Sequence, residues 1–197
     1  AERLDALTLI ASESLGAARD AIAQALALRP GDRALLERLR AVHEAAGSWD
    51  QAVDVSVQIA ERIEAPGERA RSLVQAARLA SEKAQSLPRA IALYEAAIED
   101  DPGVPGAFAA IEAELVRAGD HQGVTRAYER QLDRLGGANA EARVELLRKL
   151  AHTHRRALGD PRRAIAALDR LVLERPHDAE ARVELAELLR ETDQIAL

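Results

Sequence analysis

The segment at residues 159–176 reads GDPRRAIAALDRLVLERP and contains a turn, a helix and a second turn, in that order. Gly159-Asp160-Pro161 favours a turn followed by a helix. Gly adopts turn conformations easily, and Pro is tolerated at the first helical position because an N–H there has no partner within the helix. The Ala and Leu residues that follow are strong helix formers. Pro176 ends the helix, since a proline in its interior would clash and remove a hydrogen bond.

This arrangement recurs along the chain. Pro30 and Pro102 also follow Ala/Leu-rich stretches, and each predicted second helix has a small or β-branched residue near its start, namely Ala18, Ala52, Ala90, Val124 and Ala164. Turn and capping residues place the helices at about residues 14–28, 32–46, 50–63, 68–84, 88–99, 105–118, 121–135, 140–158, 161–174 and 178–191. Residues 2–12 could supply a further first helix. The composition, rich in Ala and Leu and poor in aromatics, predicts an all-α fold.

Several of these positions resemble the tetratricopeptide repeat (TPR) family, a helix–turn–helix of about 34 residues. The matching residues are Gly119-Asp120, Gly159-Asp160, Ala90, Ala164, Tyr94, Pro102 and Pro176. The resemblance implies a right-handed α-solenoid of about five antiparallel helix hairpins. The chain departs from the family at Arg40 and Glu112, where the family has Gly or Ala, and at His43 and His154, where it often has Tyr.

The repeats predict a single TPR-like array over residues 1–197, because each hairpin buries its apolar face only on its neighbours. The chain has no Met and begins and ends within the pattern, so we expect it to be a fragment of a longer solenoid. Exposed stack ends would make self-association an option. The hairpins are predicted at residues 1–30, 31–66, 67–102, 103–137 and 138–176, with an incomplete repeat at 177–197.

Composition and charge exclude several classes of function. The net charge of −6 argues against a nucleic-acid surface. Without Cys there is no disulfide, thiolate metal site or cysteine nucleophile. No apolar run is long enough to predict a membrane span. The Ala- and Arg-rich composition suggests a soluble bacterial protein, and cytoplasm and periplasm both stay open.

Candidate catalytic and metal-binding residues are few. His152 and His154 are two residues apart, so on a helix they point to different faces, whereas paired ligands need i, i+4 spacing. We expect His154 and the equivalent His43 to pack at the core, and Trp49 to pack between helices. The acidic pairs resemble solvated helix faces, and no serine has a partnered His. The sequence therefore predicts no enzyme, no metal and no cofactor.

The strongest local charge asymmetry is a basic run between residues 139 and 163. Lys149, Thr153 and Arg156 share one stripe by i, i+4, i+7 spacing, and the TPR resemblance places that stripe in a concave groove. The simplest interpretation is a solvated face with salt bridges. The functional alternative is a groove for an acidic peptide or a partner's carboxy terminus. The corresponding stripes on other first helices are Glu37, Ala41 and Glu44, then Gln75, Leu79 and Glu82, then Ala109, Ala113 and Val116.

These observations predict a non-catalytic scaffold that binds a peptide or partner protein in its groove or at its stack ends. Preformed helices can display side chains over a large area with little ordering on binding. The alternative is a regulatory or sensor module attached to a catalytic or DNA-binding domain outside this segment.

Overall fold

The computed structural model describes the backbone of residues 2–137 and 139–195 and the side chains of residues 13–137 and 139–192. Within those ranges the chain forms ten α-helices, one π-helical turn and no β-strand, which confirms the predicted all-α class. The elements are α1 (Glu2–Leu28), α2 (Arg33–Ala45), α3 (Trp49–Glu61), α4 (Pro66–Glu82), α5 (Leu87–Asp100), α6 (Ala107–Arg117), α7 (His121–Leu135), α8 (Ala140–His152), the π turn (Thr153–Ala157), α9 (Pro161–Glu174) and α10 (Ala179–Ile195).

Short polar side chains start several of the helices. The Asp32 carboxylate accepts from the backbone N–H of Ala34 at 3.0 Å, and Asp120 and Asp160 cap α7 and α9 in the same way. Such a cap stabilises a helix by about 1 kcal/mol because it satisfies an otherwise unpaired N–H. The helix predicted to start at residue 50, with Asp50 as its cap, instead starts at Trp49, so Asp50 lies in its first turn and does not cap it.

The chain divides into two compact units, Ala1–Ile111 and Glu112–Leu197. In the first unit, α2 packs on α3, α3 on α4, and α4 on α5. Arg69 of α4 donates hydrogen bonds of 2.5 and 2.6 Å to the carboxylate of Asp100 in α5. Small side chains fill much of the core of this unit. The alanines of the first unit with no exposed surface are Ala52, Ala60, Ala70, Ala77, Ala80, Ala90, Ala97 and Ala107.

In the second unit, α8 packs on α9, α9 on α10, and α7 on α8. Larger side chains supply this core, and the most buried are Leu132, Leu147, Leu150, Leu168 and Leu171. Leu147 and Leu150 project from α8, while Leu168 and Leu171 project from α9. The hairpin of α8 and α9 therefore has an apolar seam of leucines.

Residues 2–28 do not form the hairpin that the repeat pattern predicted at 1–30. They form the single helix α1. The predicted break between residues 12 and 14 contains no Pro and no turn dipeptide, and Gly16 alone weakens a helix by only about 1 kcal/mol relative to Ala. A lone glycine therefore does not separate two helices here.

Three predicted helix bounds also need correction. Pro105 does not start α6, because Pro105 and Gly106 form a turn in which Gly106 has a φ of +77°. The helix predicted over residues 140–158 changes to a π turn at Thr153. The last helix continues to Ile195 instead of ending at residue 191. All three differences arise at the ends of helices, where local sequence signals are weakest.

Candidate functional site

Lys149, at the centre of the predicted basic stripe, already has carboxylate partners. Its Nζ lies 3.0 and 3.2 Å from the two carboxylate oxygens of Glu112 on α6 and 3.4 Å from Glu145. Burial by itself lowers the pKa of Lys149, but the hydrogen bonds and negative charges of Glu112 and Glu145 together outweigh burial, so the pKa is raised. The stripe is therefore partly neutralised by residues of its own unit.

Glu112 also binds Tyr128 and so connects three helices of the second unit. The Tyr128 hydroxyl on α7 donates to Glu112 Oε1 at 2.7 Å, while Lys149 on α8 donates to the same carboxylate. Burial, followed by the hydrogen bond to Glu112, raises the pKa of Tyr128 far above its usual range. Glu112 therefore accepts hydrogen bonds from side chains of two neighbouring helices.

The π turn changes the register of the predicted stripe. The backbone N–H of Leu158 donates to the Thr153 carbonyl at 3.1 Å, an i→i+5 bond. One π turn contains more residues than an α turn, so Arg156 is displaced around the helix from the position that α-helical spacing predicts. The Thr153 hydroxyl donates to the Lys149 carbonyl at 2.8 Å. Arg156 is exposed and forms no ion pair with any described residue.

On α6, the stripe residues of the second unit are uncovered. Ala113 is exposed, and Val116, an apolar residue, is 53% exposed. Val116 is one helical turn beyond Glu112 and therefore lies on the side of α6 that carries the Glu112–Lys149 pair, and Ala113 neighbours Val116 at i, i+3 spacing. We call Ala113 and Val116 of α6, Lys149 of α8, and Thr153 and Arg156 of the π turn that follows α8 the α6–α8 face.

The stripe residues of the first unit lie on α2, α4 and the start of α6. Glu37 is exposed and pairs with Arg33 at 2.9 Å, and Glu44 pairs with Arg40 at 3.3 Å. These i, i+4 arginines offset the acidic character that the sequence predicted. The other stripe residues are Ala41, Gln75, Glu82 and Ala109, which are exposed, and Leu79, which is half-buried.

The basic run between residues 139 and 163 is largely internal to the second unit. Arg143 Nε lies 2.9 Å from the Glu174 carboxylate, Arg148 2.7 Å from Asp178, and Arg155 3.4 Å from Glu184. These three pairs agree with the simpler interpretation of the run, a helix face with salt bridges. The exposed side chains Arg156 and Arg162 are the members of the run for which no ion pair is formed within the described residues.

The histidine and tryptophan predictions agree with the structure. His154 is buried, and burial lowers its pKa; Nδ1 has no hydrogen-bond partner. His43 is half-buried, and its pKa is lowered by burial and then by the charge of Arg19. Trp49 is half-buried, with Lys83 Nζ 5.7 Å from the centre of its ring. Among the described residues, no group of three His, Cys, Asp or Glu side chains could hold a metal ion.

Sequence reasoning missed a cavity of about 530 Å³ beside His154, between α7 and α9. Glu129 accepts from Arg170 at 2.8 and 2.9 Å, and Arg163 lies 3.5 Å from Asp160, so carboxylates offset much of the positive charge. Arg126 and Arg130 lie on α7, whereas Arg163 and Arg170 lie on α9, about 40 positions later in the sequence. The only local signal for this cavity is the spacing of the two arginines within each helix. The lining residues are Thr125, Arg126, Glu129, Arg130, Asp133, Leu150, His154, Arg163, Ala166, Ala167 and Arg170.

Comparison with known proteins concerns the fold alone. No family model matches this sequence, and no curated protein is a significant match. The C-terminal part of a TPR repeat-containing protein from Cytophaga hutchinsonii matches 93% of this chain and 68% of its own, at 12% identity and a TM-score of 0.47. The MamA protein matches 86% of this chain and 87% of its own, at 14% identity and a TM-score of 0.41.

A thermophilic TPR protein of Thermus thermophilus matches 93% of this chain and 94% of its own, at 18% identity and a TM-score of 0.38. At these identities and TM-scores the similarities say nothing about a ligand. None of the helices in the described part of the chain has the length and apolar character that crossing a membrane requires.

Proposed function

We propose that this chain is a non-catalytic scaffold that binds a protein or an extended peptide on the uncovered face of its first helices. The observation that supports this function is the exposure of Val116 beside Ala113 on α6, in a unit whose other large apolar side chains mostly fill the core. An apolar patch next to charged side chains is typical of a surface that a partner covers.

The charges of the α6–α8 face favour an acidic partner. Arg156 is exposed and forms no ion pair with described residues, so it can pair with a partner's carboxylate without breaking an existing contact. Lys149 is held by Glu112 and Glu145 and contributes less. Its hydrogen-bonded position instead keeps α8 beside α6, which makes the surface rigid and reduces the ordering that binding requires.

Binding of a defined acidic peptide tests this proposal. The probe is a fluorescein-labelled peptide of alternating Asp and Leu residues with a free carboxy terminus, followed by fluorescence anisotropy. We expect saturable binding that weakens as salt is added, because salt screens exposed charges. The double variant Val116→Glu with Arg156→Glu should remove binding while the far-ultraviolet circular dichroism stays unchanged.

The matched control for the arginine is Arg162→Glu, which makes the same charge change as Arg156→Glu at an exposed arginine of α9. Arg162→Glu should change the affinity for the acidic peptide by less than about twofold, since exposed charges that are not in contact with the peptide interact with it weakly. Equal binding by the double variant and the wild type would remove the α6–α8 face as the site. Absence of binding by the wild type would contradict the acidic partner. The alternative function, a regulatory module of a larger protein, stays a prediction from sequence.

A further inference from the structure

Two helices of the second unit begin with the same seven residues. The sequence AEARVEL occurs at residues 140–146 in α8 and at residues 179–185 in α10. The residue before each copy caps its helix in the same register, because Asn139 accepts from the N–H of Ala142 at 3.2 Å and Asp178 accepts from the N–H of Ala181 at 3.0 Å. Residues 39 positions apart are therefore equivalent in the two helices.

Equivalent residues of α8 and α10 differ greatly in burial. Val144 is 5% exposed in α8, whereas Val183 is 59% exposed in α10. Leu150 is 1% exposed, and its equivalent Leu189 is 44% exposed. Because the cap and the first turns are the same, the difference comes from the packing around each helix and not from its local structure.

In α8, Arg143 at the start of this face lies beside the end of α9. The two helices pack together, and Arg143, which is beside Val144, forms a hydrogen bond of 2.9 Å from Nε to Glu174 in the last turn of α9. From α9, the side chains of Ala164, Ala167 and Leu168 are fully or almost fully buried. The occupant of this face is thus an amphipathic helix with an Ala/Leu stripe and an acidic residue near its end.

In α10, the equivalent face is uncovered within the described residues. Arg182, the equivalent of Arg143, is exposed and forms no ion pair with described residues, and the same is true of Arg190 two turns later. A shallow groove of about 410 Å³ runs along this face. Its lining residues are Ala179, Arg182, Val183, Ala186, Glu187 and Arg190. Arg182 and Arg190 carry positive charge, Val183 and Ala186 are apolar, and Glu187 is the one acidic residue in this lining.

We propose that this face of α10 binds a partner helix of the α9 type. The partner is an amphipathic helix whose small and leucine side chains pack against Val183 and Ala186. A carboxylate in the last turn of that helix forms an ion pair with Arg182. Charge complementarity supports this occupant, because Arg182 is left without the pair that Arg143 makes with Glu174. The inference rests on the proposed scaffold function and identifies the partner chemistry of a second surface, separate from the α6–α8 face.

A peptide with the sequence of residues 159–176 is the probe, labelled with fluorescein and titrated with the 197-residue chain. We expect the fluorescence anisotropy of the peptide to rise and reach a plateau as the chain is added. Val183→Asp should remove binding, and Arg182→Glu should weaken it by about fivefold to tenfold, because an attractive charge pair becomes repulsive. A peptide carrying Glu174→Arg should weaken binding to the wild type by a similar factor and should recover binding to Arg182→Glu.

Leu28→Asp is the matched control for Val183→Asp, since Leu28 is an exposed apolar residue of α1 in the first unit. Binding that is unaffected by Val183→Asp and Arg182→Glu would overturn the proposal. Absence of peptide binding, together with concentration-dependent light scattering that Val183→Asp abolishes, would also overturn it and would identify a second copy of this chain as the occupant. Neither result depends on the acidic peptide that tests the α6–α8 face, so the two proposals fail separately.

Discussion

The two compact units use different side chains to hold the same kind of helical hairpin. In the first unit, α4 and α5 approach through buried alanines such as Ala77, Ala80 and Ala97. In the second unit, α8 and α9 meet through Leu147 and Leu168, and ion pairs connect their edges. Small residues allow close packing with little tolerance for added volume, whereas leucines give a thicker apolar seam. An ion pair joins the helices of both hairpins, Arg69 with Asp100 in the first unit and Arg143 with Glu174 in the second.

Adding volume to the alanine core of the first unit should lower the free energy of unfolding more than the other changes considered. Ala77→Leu inserts three carbon atoms at a position with no exposed surface, and overpacking of this kind destabilises by about 1–3 kcal/mol. Trp49 is the only tryptophan and lies in the first unit, so its fluorescence during urea unfolding reports on that unit. We expect a lower urea midpoint. Ala41→Leu, the same change at an exposed site of α2, is the control, and equal midpoints for the two variants would contradict the close packing.

Breaking the polar contact of the second unit should have an intermediate effect. Glu112→Gln removes the negative charge that Lys149 and Tyr128 share, and we expect a loss of about 1–2 kcal/mol, because hydrogen bonds to charged groups are stronger than neutral ones. Helical circular dichroism during urea unfolding is the measurement. Glu145→Gln makes the same change to the exposed partner of Lys149 and should cost less than about 1 kcal/mol. A larger loss from Glu145→Gln would show that Glu112 is not the main partner.

Acidification should have the smallest effect on the free energy of unfolding. This effect should be greater in the second unit, which contains His154, than in the first. The pKa of buried His154 is lowered by burial, so the unfolded chain binds a proton more readily, and stability falls as the pH decreases below about 6.5. We expect His154→Leu to lose less stability between pH 7.5 and pH 5 than the wild type, as judged by circular dichroism. His43→Leu should change this pH dependence less, because His43 is half-buried. A steeper pH dependence in His154→Leu would contradict this account.

Most helices could be predicted from turns and caps, because these signals act over a few residues. Pro161 starts α9, as the segment at residues 159–176 predicts, and the structure adds that Asp160 caps this helix. The π turn could not be predicted, since the backbone of residues 153–157 depends on how the end of α8 fits between α7 and α9. The continuity of α1 was missed because the repeat pattern suggested a break that no local residue enforces.

Less of the candidate site could be predicted. The spacing of Lys149, Thr153 and Arg156 was visible in sequence, but the pairing of Lys149 with Glu112 joins residues 37 positions apart. The cavity beside His154 likewise forms only when α7 and α9 come together. Contacts between distant residues have no local signature in a single sequence, so the charge that a solvent-facing stripe presents cannot be obtained from its residue types alone.

The repeated heptapeptide separates what sequence determines from what the fold decides. The residues AEARVEL specify a helix with the same cap and the same apolar stripe at residues 140–146 and 179–185, because propensity and capping act within one or two turns. Only the tertiary structure buries Val144 and leaves Val183 exposed. Burial requires a second surface, and in α8 that surface is supplied by a helix whose residues lie elsewhere in the chain.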